Sequence, residues 1–366
     1  MAGTQARLSV ARLGQLILLA AAGALFAAAS GIGRIEGSPV YLFFVALLLA
    51  VGLYASASGI SRDVVGDLRL VVVAVTVGVL CKAVLIAGVM WLALGNPVAI
   101  VLGVAVAQID PLSVAAMTAG SRLSARARPI LLAWASFDDP ITALLIVYSS
   151  ALALAWSGTG GQVIGGPADA DLAAYGLNLG ANLLFAGGCF ALWLLARRWE
   201  LTRRRFWQRW GGPVSVVVLV ALLVFAASTF LMLGIALIGL FFRPPVVERL
   251  GAVTTGAFWL ATFVLGMLLA RGVAVASGLL LGVTTFLAQV VVGWVITRRL
   301  PRGDRIQLAL SQQNGITAIV LALTLEPTFP DIAAIIAPAI LVINTLHLAA
   351  GEVAGRVLDR AEPAAP

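Results

Sequence analysis

The chain has 366 residues, of which 61% are hydrophobic and only 11% are charged, and its formal net charge is +8. Soluble domains carry about 25% charged residues, so this composition excludes an ordinary soluble protein. Apolar runs of about 18 or more residues recur along the whole chain, and each is long enough to cross a bilayer core about 30 Å thick. Because the runs are continuous rather than alternating, they predict an all-α polytopic membrane protein and exclude a transmembrane barrel.

Twelve stretches are predicted to cross the membrane. They lie at 13–30, 38–55, 70–94, 97–119, 129–156, 172–196, 213–227, 229–242, 252–270, 273–297, 306–325 and 331–350. The first stretch follows Arg7 and Arg12, so a cleaved signal peptide is an alternative there. As one helix, 213–242 would be about 45 Å long, which exceeds the bilayer core. We therefore expect two short helices that meet near Ser228 and Thr229.

The arginines decide the orientation. If 213–242 is split and the N-terminus is cytoplasmic, only Arg34 and Arg271 face outward. A single helix there would move the arginines of 298–305 outside, against the positive-inside rule. Both termini are thus predicted to be cytoplasmic, and this distribution argues against a nucleic-acid partner. The arginine-rich segment 197–209 is expected to contact anionic membrane lipids, with a regulatory role as the alternative.

The whole chain, 1–366, is expected to form one transmembrane transporter domain. The sequence has no P-loop motif, so transport is not driven by nucleotide hydrolysis in this chain. We expect no cofactor other than the transported ions. The two cysteines, Cys81 and Cys189, lie inside apolar runs and show neither metal-ligand spacing nor a disulfide framework.

Four ionisable side chains fall near the middle of predicted spans: Asp110, Asp138, Asp139 and Lys82, the only lysine of the chain. A charge at the bilayer centre costs about 2.5–3.5 kcal/mol on insertion scales, so each is a candidate functional residue. The structural alternative is that a carboxylate only caps a broken helix and that the lysine only neutralises it.

Two of the predicted spans contain features that interrupt a helix. Pro111 follows Asp110 and removes a backbone donor, and a second interruption is predicted by a polar run before Gly315. The polar run consists of Ser311, Gln312, Gln313 and Asn314.

The two interruptions occupy corresponding positions in two three-helix units, 70–156 and 273–350, which run in opposite directions in the predicted topology. Broken helices that cross in two inverted repeats mark the midplane site of many transporters. We therefore expect these units to form the ion-binding core, with 13–55 and 172–270 largely as scaffold and dimerisation helices.

Asp138 and Asp139 precede Pro140 in the fifth predicted span. Adjacent helical residues point about 100° apart, so one carboxylate can face a cavity while the other faces protein. A hard cation such as Na⁺ prefers oxygen ligands, and burial favours the protonated form of a carboxylate. One carboxylate can then hold either a cation or a proton, which is the chemistry of exchange. Asp139 and Asp138 are the predicted Na⁺ ligands.

With these motifs, the chain resembles the monovalent cation/proton antiporter superfamily, which includes bacterial sodium/proton antiporters, over about residues 40–350. Ala107–Pro111 is similar to the Thr-Asp-Pro break of that family, and Ser136–Pro140 contains its Asn-Asp or Asp-Asp pair. The polar run before Gly315 and the short pair in 213–242 also resemble family features.

The resemblance implies a role for each carboxylate. Asp139 would be the main cation and proton carrier, Asp138 a modulating partner, and Asp110 a charge that offsets the dipole ends of the crossed helices. It also implies a homodimer with a moving core, located in a bacterial plasma membrane, that exchanges protons for Na⁺ by alternating access.

Three residues depart from the family pattern. Ile109 replaces a threonine ligand, for which Gln108 is the candidate substitute, and Trp134 stands where some members have a glutamate. Gln289 occupies a tenth-helix position that often holds a lysine, so the stoichiometry stays open. Lys82, in the third predicted helix, is the candidate for the missing positive charge.

Other functions remain as alternatives. A K⁺/H⁺ antiporter would use the same site, whereas a sodium-coupled organic-anion symporter would need a cationic group for the substrate. A channel would conduct rather than exchange. An enzyme of the intramembrane aspartyl protease class needs two carboxylates that share a proton, and adjacent residues on one helix diverge. The only histidine, His347, is either a packing residue or a pH sensor.

Overall fold

The structure is a computed structural model that describes residues 2–31, 35–59, 68–110, 114, 123–158, 172–202, 204–244, 250–311 and 316–361. Within these ranges the regular elements are helices, without a β-strand. The helices are α1 (Ala2–Ser30), α2 (Pro39–Ser58), α3 (Leu68–Val73), a π-helical segment (Ala74–Gly78), α4 (Val79–Leu94), α5 (Val98–Ala105), α6 (Ala127–Ser157), α7 (Leu172–Thr202), α8 (Arg204–Thr229), α9 (Met232–Phe241), α10 (Leu250–Leu269), α11 (Val275–Ile296), α12 (Arg302–Ala309), α13 (Ile316–Leu325) and α14 (Ile332–Ala361).

Nine helical stretches in the described part of the chain are long and apolar enough to cross a membrane, and α9 is a shorter apolar helix. Together with the interrupted segments that contain α5 and α12–α13, they occupy the twelve predicted stretches. The prediction of an all-helical integral membrane protein is thus confirmed.

The stretch 213–242 is divided, as predicted. α8 ends at Thr229 and α9 begins at Met232. The turn between them has a left-handed residue, Phe230, with a φ of 55°, and the Leu231 amide donates to the Ala226 carbonyl at 2.9 Å. The chain therefore changes direction just after the predicted hinge at Ser228 and Thr229.

Side chains from two other helices cap the short helix α9. The Asn182 Oδ1 atom of α7 accepts a hydrogen bond from the Gly234 amide at 2.8 Å, in the first turn of α9. At the other end, the Tyr54 hydroxyl of α2 donates to the Phe242 carbonyl at 2.6 Å. Helix ends leave backbone groups without partners, and lipid offers none, so these caps allow a ten-residue helix to end inside the protein.

The predicted break in the fourth span is present, but the helix ends earlier than expected. α5 stops at Ala105, and no helix covers 106–110. Pro111, the residue that predicts this break, lies outside the described residues. A proline removes one N–H, clashes with the carbonyl four residues earlier and disfavours helical backbone at the residue before it, so its effects do not reach back to Ala105. The earlier end is explained by the amide of Ile109, which binds a side chain of α6 instead of a helix carbonyl.

The second predicted break also lies between two helices. α12 ends at Ala309 and α13 begins at Ile316. Gln312, Gln313, Asn314 and Gly315, on which the prediction depended, lie outside the described residues.

Glycines allow close packing at several helix crossings. A Cβ atom on Gly23 of α1 would lie 2.0 Å from the Phe263 carbonyl oxygen of α10, and one on Gly266 would lie 2.1 Å from the Ala20 carbonyl oxygen. Gly103 likewise brings α5 against α4, since its Cβ atom would be 2.5 Å from the Ala83 carbonyl oxygen. Small residues let membrane helices approach closely, where van der Waals contact holds them together.

Helix α2 occupies a central place. It packs against α8, α9 and α10 on some sides and against α6 and α13 on others. Helix α4 packs against both α5 and α11. Helices that bear the predicted carboxylates and the two breaks therefore meet around α2 and α4.

Candidate ion-binding site

The two adjacent carboxylates of α6 are both buried, with Asp138 0% and Asp139 1% exposed. They lie in the middle of a 31-residue helix that continues through Pro140. Proline has no N–H, so the Ser136 carbonyl lacks its usual donor four residues later. The site thus combines two buried carboxylates with a local gap in the helical hydrogen bonds.

Asp138 forms an ion pair with the only lysine of the chain. The Lys82 Nζ atom lies 3.0 Å from Asp138 Oδ2, and neither side chain is exposed. The same oxygen accepts a hydrogen bond from the Ile109 amide at 3.0 Å. The Trp134 ring lies 5.6 Å from the lysine nitrogen and adds a cation–π contact. Asp138 therefore joins α4, α6 and the non-helical segment after α5.

Asp139 has different partners. Its Oδ2 atom accepts hydrogen bonds from the Ser56 hydroxyl of α2 at 2.8 Å and from the Thr317 hydroxyl of α13 at 3.0 Å. Its Oδ1 atom is buried and has no hydrogen-bond partner among the described residues. The Oδ1 atom of Asp138 is likewise without a partner there, so the two carboxylates differ at Oδ2, which binds a cation in Asp138 and only hydroxyl groups in Asp139.

Asp110 completes the set of buried acids at the site. It is 6% exposed, lies at the end of the non-helical segment 106–110, and interacts electrostatically with Asp139. Asp138 also acts electrostatically on Asp139. Asp139 therefore lies within the electrostatic influence of two other carboxylates, and of these Asp138 is paired with Lys82.

The other predicted site residues form a separate pair or stand apart. Gln289 donates from Nε2 to the Ser311 hydroxyl at 2.9 Å. Both side-chain polar atoms of Gln108 are buried without a hydrogen-bond partner in the described part of the chain, and its role as the substitute for the missing threonine stays a prediction. Gln312, Gln313 and Asn314 lie outside the described residues.

The histidine lies beside the second break. His347 of α14 hydrogen-bonds to the backbone of Leu310, next to the end of α12, and its ring contacts Phe286 at a centroid distance of 4.9 Å. His347 is 5% exposed. Its contacts are therefore with the helix end and with packing residues of α11.

Sequence reasoning missed the two hydroxyls that bind Asp139. Thr317 lies just after the polar run that predicted the second break, and that proximity was an available signal. Ser56 gave no comparable signal, because serines near helix ends are common and carry no charge.

Among the described residues, no group of three or more His, Cys, Asp and Glu side chains is arranged to hold a metal ion. Beside its own carboxylate, Asp139 has two neutral hydroxyl oxygens, those of Ser56 and Thr317. Hydroxyl and carbonyl oxygens suit alkali cations, which are hard and form weak, labile contacts.

Two solved structures of the sodium proton antiporter MjNhaP1 from Methanocaldococcus jannaschii are similar to this chain. The one at pH 8 has a TM-score of 0.59 and 17% identity, and the match covers 97% of this chain and 99% of that chain. The other, from electron microscopy, has a TM-score of 0.61 and 17% identity over 98% of this chain and 99% of that chain. The chain has the sodium/proton antiporter fold.

The antiporter fold belongs to transporters in both of these matches, and neither is an enzyme. No protein-family model matches the sequence, and no curated protein matches it. At 17% identity the similarity concerns the fold alone and does not extend to the side chains of the site.

Proposed function

We propose that this chain is a secondary active transporter that exchanges protons for a monovalent cation, with Na⁺ as the first candidate. Asp139 is the shared carrier, which binds a proton or a cation in turn as the protein alternates between its two access states. Asp138, paired with Lys82, supplies a fixed carboxylate whose charge is compensated. Asp110 adds negative charge close to the carrier.

The observation that carries this proposal is that the two buried carboxylates have different partners. Asp138 already has a cation, Lys82, at 3.0 Å. Asp139 has only neutral donors, and its Oδ1 atom accepts no hydrogen bond from the described residues. Leaving a buried carboxylate ionised and unpaired is costly, so Asp139 requires a mobile positive charge. A proton and a small cation both satisfy that requirement, and they exclude each other.

The fold supports the proposal, since it is shared with a sodium proton antiporter. An organic-anion symporter would require a cationic group for the substrate. The described residues contain no buried arginine, and the buried lysine is already paired. K⁺ in place of Na⁺ is compatible with the same residues. We also propose a homodimer in a bacterial plasma membrane with both termini in the cytoplasm.

Exchange in proteoliposomes tests the proposal. With an imposed pH gradient, addition of Na⁺, Li⁺ or K⁺ should collapse the gradient in a saturable way for the transported cations. The Asp139→Asn variant should abolish this cation-driven proton flux. Asp304→Asn is the matched control, because Asp304 is also a buried carboxylate but binds Ser124, at 2.9 Å and 2.7 Å, instead of the site.

Full exchange by a folded Asp139→Asn protein would refute the carrier role. Cation uptake without proton movement, or an ohmic current, would instead favour a symporter or a channel. The Asp138→Asn variant should keep measurable exchange with an altered pH profile, and complete loss there would show that the two carboxylates act as one coupled site.

A further inference from the structure

The hydroxyls of Ser56 and Thr317 bind a side chain of another helix, whereas two other hydroxyls of α2 and α13 bind a carbonyl within their own helix. The Ser58 hydroxyl of α2 donates to the Ala55 carbonyl at 2.9 Å, and the Thr324 hydroxyl of α13 donates to the Val320 carbonyl at 2.7 Å. Such bonds to the preceding turn are the ordinary solution for serine and threonine in helices. Ser56 and Thr317 instead bind a carboxylate on a third helix.

The two hydroxyls also converge on a single atom. Both donate to Asp139 Oδ2, at 2.8 Å and 3.0 Å, while Oδ1 stays open. The Ser56 and Thr317 hydroxyl oxygens, from α2 and α13, are therefore each held within hydrogen-bond distance of the same carboxylate oxygen of α6. A hydroxyl has one donor and two acceptor sites, and its proton can rotate. The same oxygens can thus donate to the carboxylate when no cation is present and face a cation when one is bound.

We infer that Ser56 and Thr317 are ligands of the transported alkali cation and set the affinity of the site for it. The inference rests on the proposed function and adds the neutral ligands that a lone carboxylate lacks. On cation binding, the proton of Asp139 leaves to water, the two hydroxyl protons rotate away, and the carboxylate and both hydroxyl oxygens contact the ion. The net charge of the site is the same with a proton or with the cation.

The position of Ser56 gives this ligand set a further property. Ser56 is on α2, which lies outside both predicted repeat units, whereas Asp139 and Thr317 each lie within one. A relative movement of the core and α2 would remove one ligand from the other two. Such a movement would therefore leave the three-oxygen site incomplete.

Removal of each hydroxyl in the full-length protein tests the inference. Ser56→Ala and Thr317→Val should each raise the Na⁺ concentration for half-maximal exchange by about tenfold, with a smaller effect on the maximal rate, because a contact to a charged group is lost. Ser58→Ala and Thr324→Val remove a buried hydroxyl from the same helices and should leave both parameters near those of the unmodified protein. Thr317→Ser, which keeps the oxygen, should restore the affinity.

A second substitution covers the case in which Ser56→Ala or Thr317→Val folds poorly. Ser56→Cys has nearly the same size, but its sulfur is a soft and poor ligand for Na⁺, so the half-saturating Na⁺ concentration should again rise. The inference is overturned if the site variants raise that concentration no more than the Ser58 and Thr324 controls do. It is also overturned if Thr317→Ser behaves like Thr317→Val. Retained exchange in Asp139→Asn would instead refute the proposed function itself.

Discussion

Asp138 and Asp139 are neighbours in the chain but belong to different hydrogen-bond networks. The first shares its Oδ2 atom between Lys82 and the Ile109 amide, and the second shares its Oδ2 atom between two hydroxyls. The rotation of about 100° between successive helical residues makes this separation possible. A pair of identical residue types can thus provide one fixed and one exchangeable charge.

Removal of Lys82 should have a large effect because its ion pair is fully buried. In Lys82→Met, Asp138 is left without its cation, and breaking a buried pair in this way costs about 3–5 kcal/mol. The melting temperature in detergent should fall, and the pH profile of exchange should move to higher pH, since an unpaired buried carboxylate favours its protonated form. An unchanged melting temperature and an unchanged pH profile would show that the pair contributes neither to stability nor to exchange.

A double-variant comparison separates the pair from the general cost of substitution. Lys82→Met combined with Asp138→Asn should be less destabilised than the sum of the single variants, because both partners are removed together. Lys82→Met combined with Asp304→Asn should be additive, since Asp304 binds Ser124 and has no contact with Lys82. Additivity in both combinations would contradict a specific pair.

For single residues of the site, the sequence identifies the charged side chains better than their neutral hydrogen-bond partners. The cost of a charge in the bilayer made Lys82, Asp110, Asp138 and Asp139 conspicuous. The choice of Asp138 as the partner of Lys82, and the convergence of hydroxyls on Asp139, depend on how α2, α4 and α13 cross. That arrangement is set by packing and cannot be deduced from residue types alone.

Among the helices, α9 shows most directly how a short element is kept inside a membrane protein. Its first turn is bound by Asn182 and the carbonyl after its last turn by Tyr54. The side chains come from α7 and α2, so the same bonds that satisfy the helix ends also fix neighbouring helices. The capped helix then packs against α6, which bears the carboxylates.

Loss of either cap should destabilise the protein by about 1 kcal/mol, because a buried backbone group loses its partner. Asn182→Ala and Tyr54→Phe should each lower the melting temperature in detergent. The two effects should add, since the caps lie at opposite ends of α9. Thr345→Val is the control, as the exposed Thr345 hydroxyl bonds only within α14. Melting temperatures equal to that of the control would show that α9 needs no caps.

The elements also show where sequence reasoning reaches its limit. Length and arginine distribution were sufficient to predict the division of 213–242, because both follow from the thickness of the bilayer. The end of α5 at Ala105 was not predictable from Pro111, since it depends on the Ile109 amide binding a carboxylate of another helix.

For the molecule as a whole, an ion pair joins the connection before α2 to the connection after α10. The Arg271 guanidinium donates to Glu36 through its two terminal nitrogens, Nη1 and Nη2, at 2.5 Å and 3.0 Å. Burial alone would raise the pKa of Glu36, but the hydrogen bonds and charge of Arg271, together with backbone hydrogen bonds, hold that pKa below its ordinary value. Helix α1 packs closely on α10 at Gly23 and Gly266, and Glu36 and Arg271 lie in the connections that follow these two helices.

The lowered pKa predicts how this connection depends on pH. A carboxyl with a lowered pKa in the folded protein contributes stability at neutral pH and loses it as the pH falls through its folded-state pKa. At pH 7, Glu36→Gln should therefore melt below the unmodified protein, by an amount that corresponds to about 1 kcal/mol or less for a partly exposed pair. The difference should shrink as the pH falls below the ordinary pKa of a glutamate and through the lower pKa of Glu36 in the folded protein.

Glu352→Gln provides the comparison for that experiment. Glu352 forms an exposed ion pair with Arg356 within α14, at 3.6 Å, and should contribute little at neutral or at low pH. A difference between Glu36→Gln and the unmodified protein that persists undiminished at low pH would contradict an electrostatic origin.

The chain has a single lysine, and that lysine is 0% exposed. Apart from the α-amino group at the N-terminus, amine-selective reagents therefore have one internal target, the Nζ atom of the pair with Asp138. While the pair is closed, that nitrogen is bound to Asp138 and sterically shielded, so acylation requires the surrounding helices to separate. The rate at which Lys82 itself becomes covalently labelled therefore measures how often the site opens.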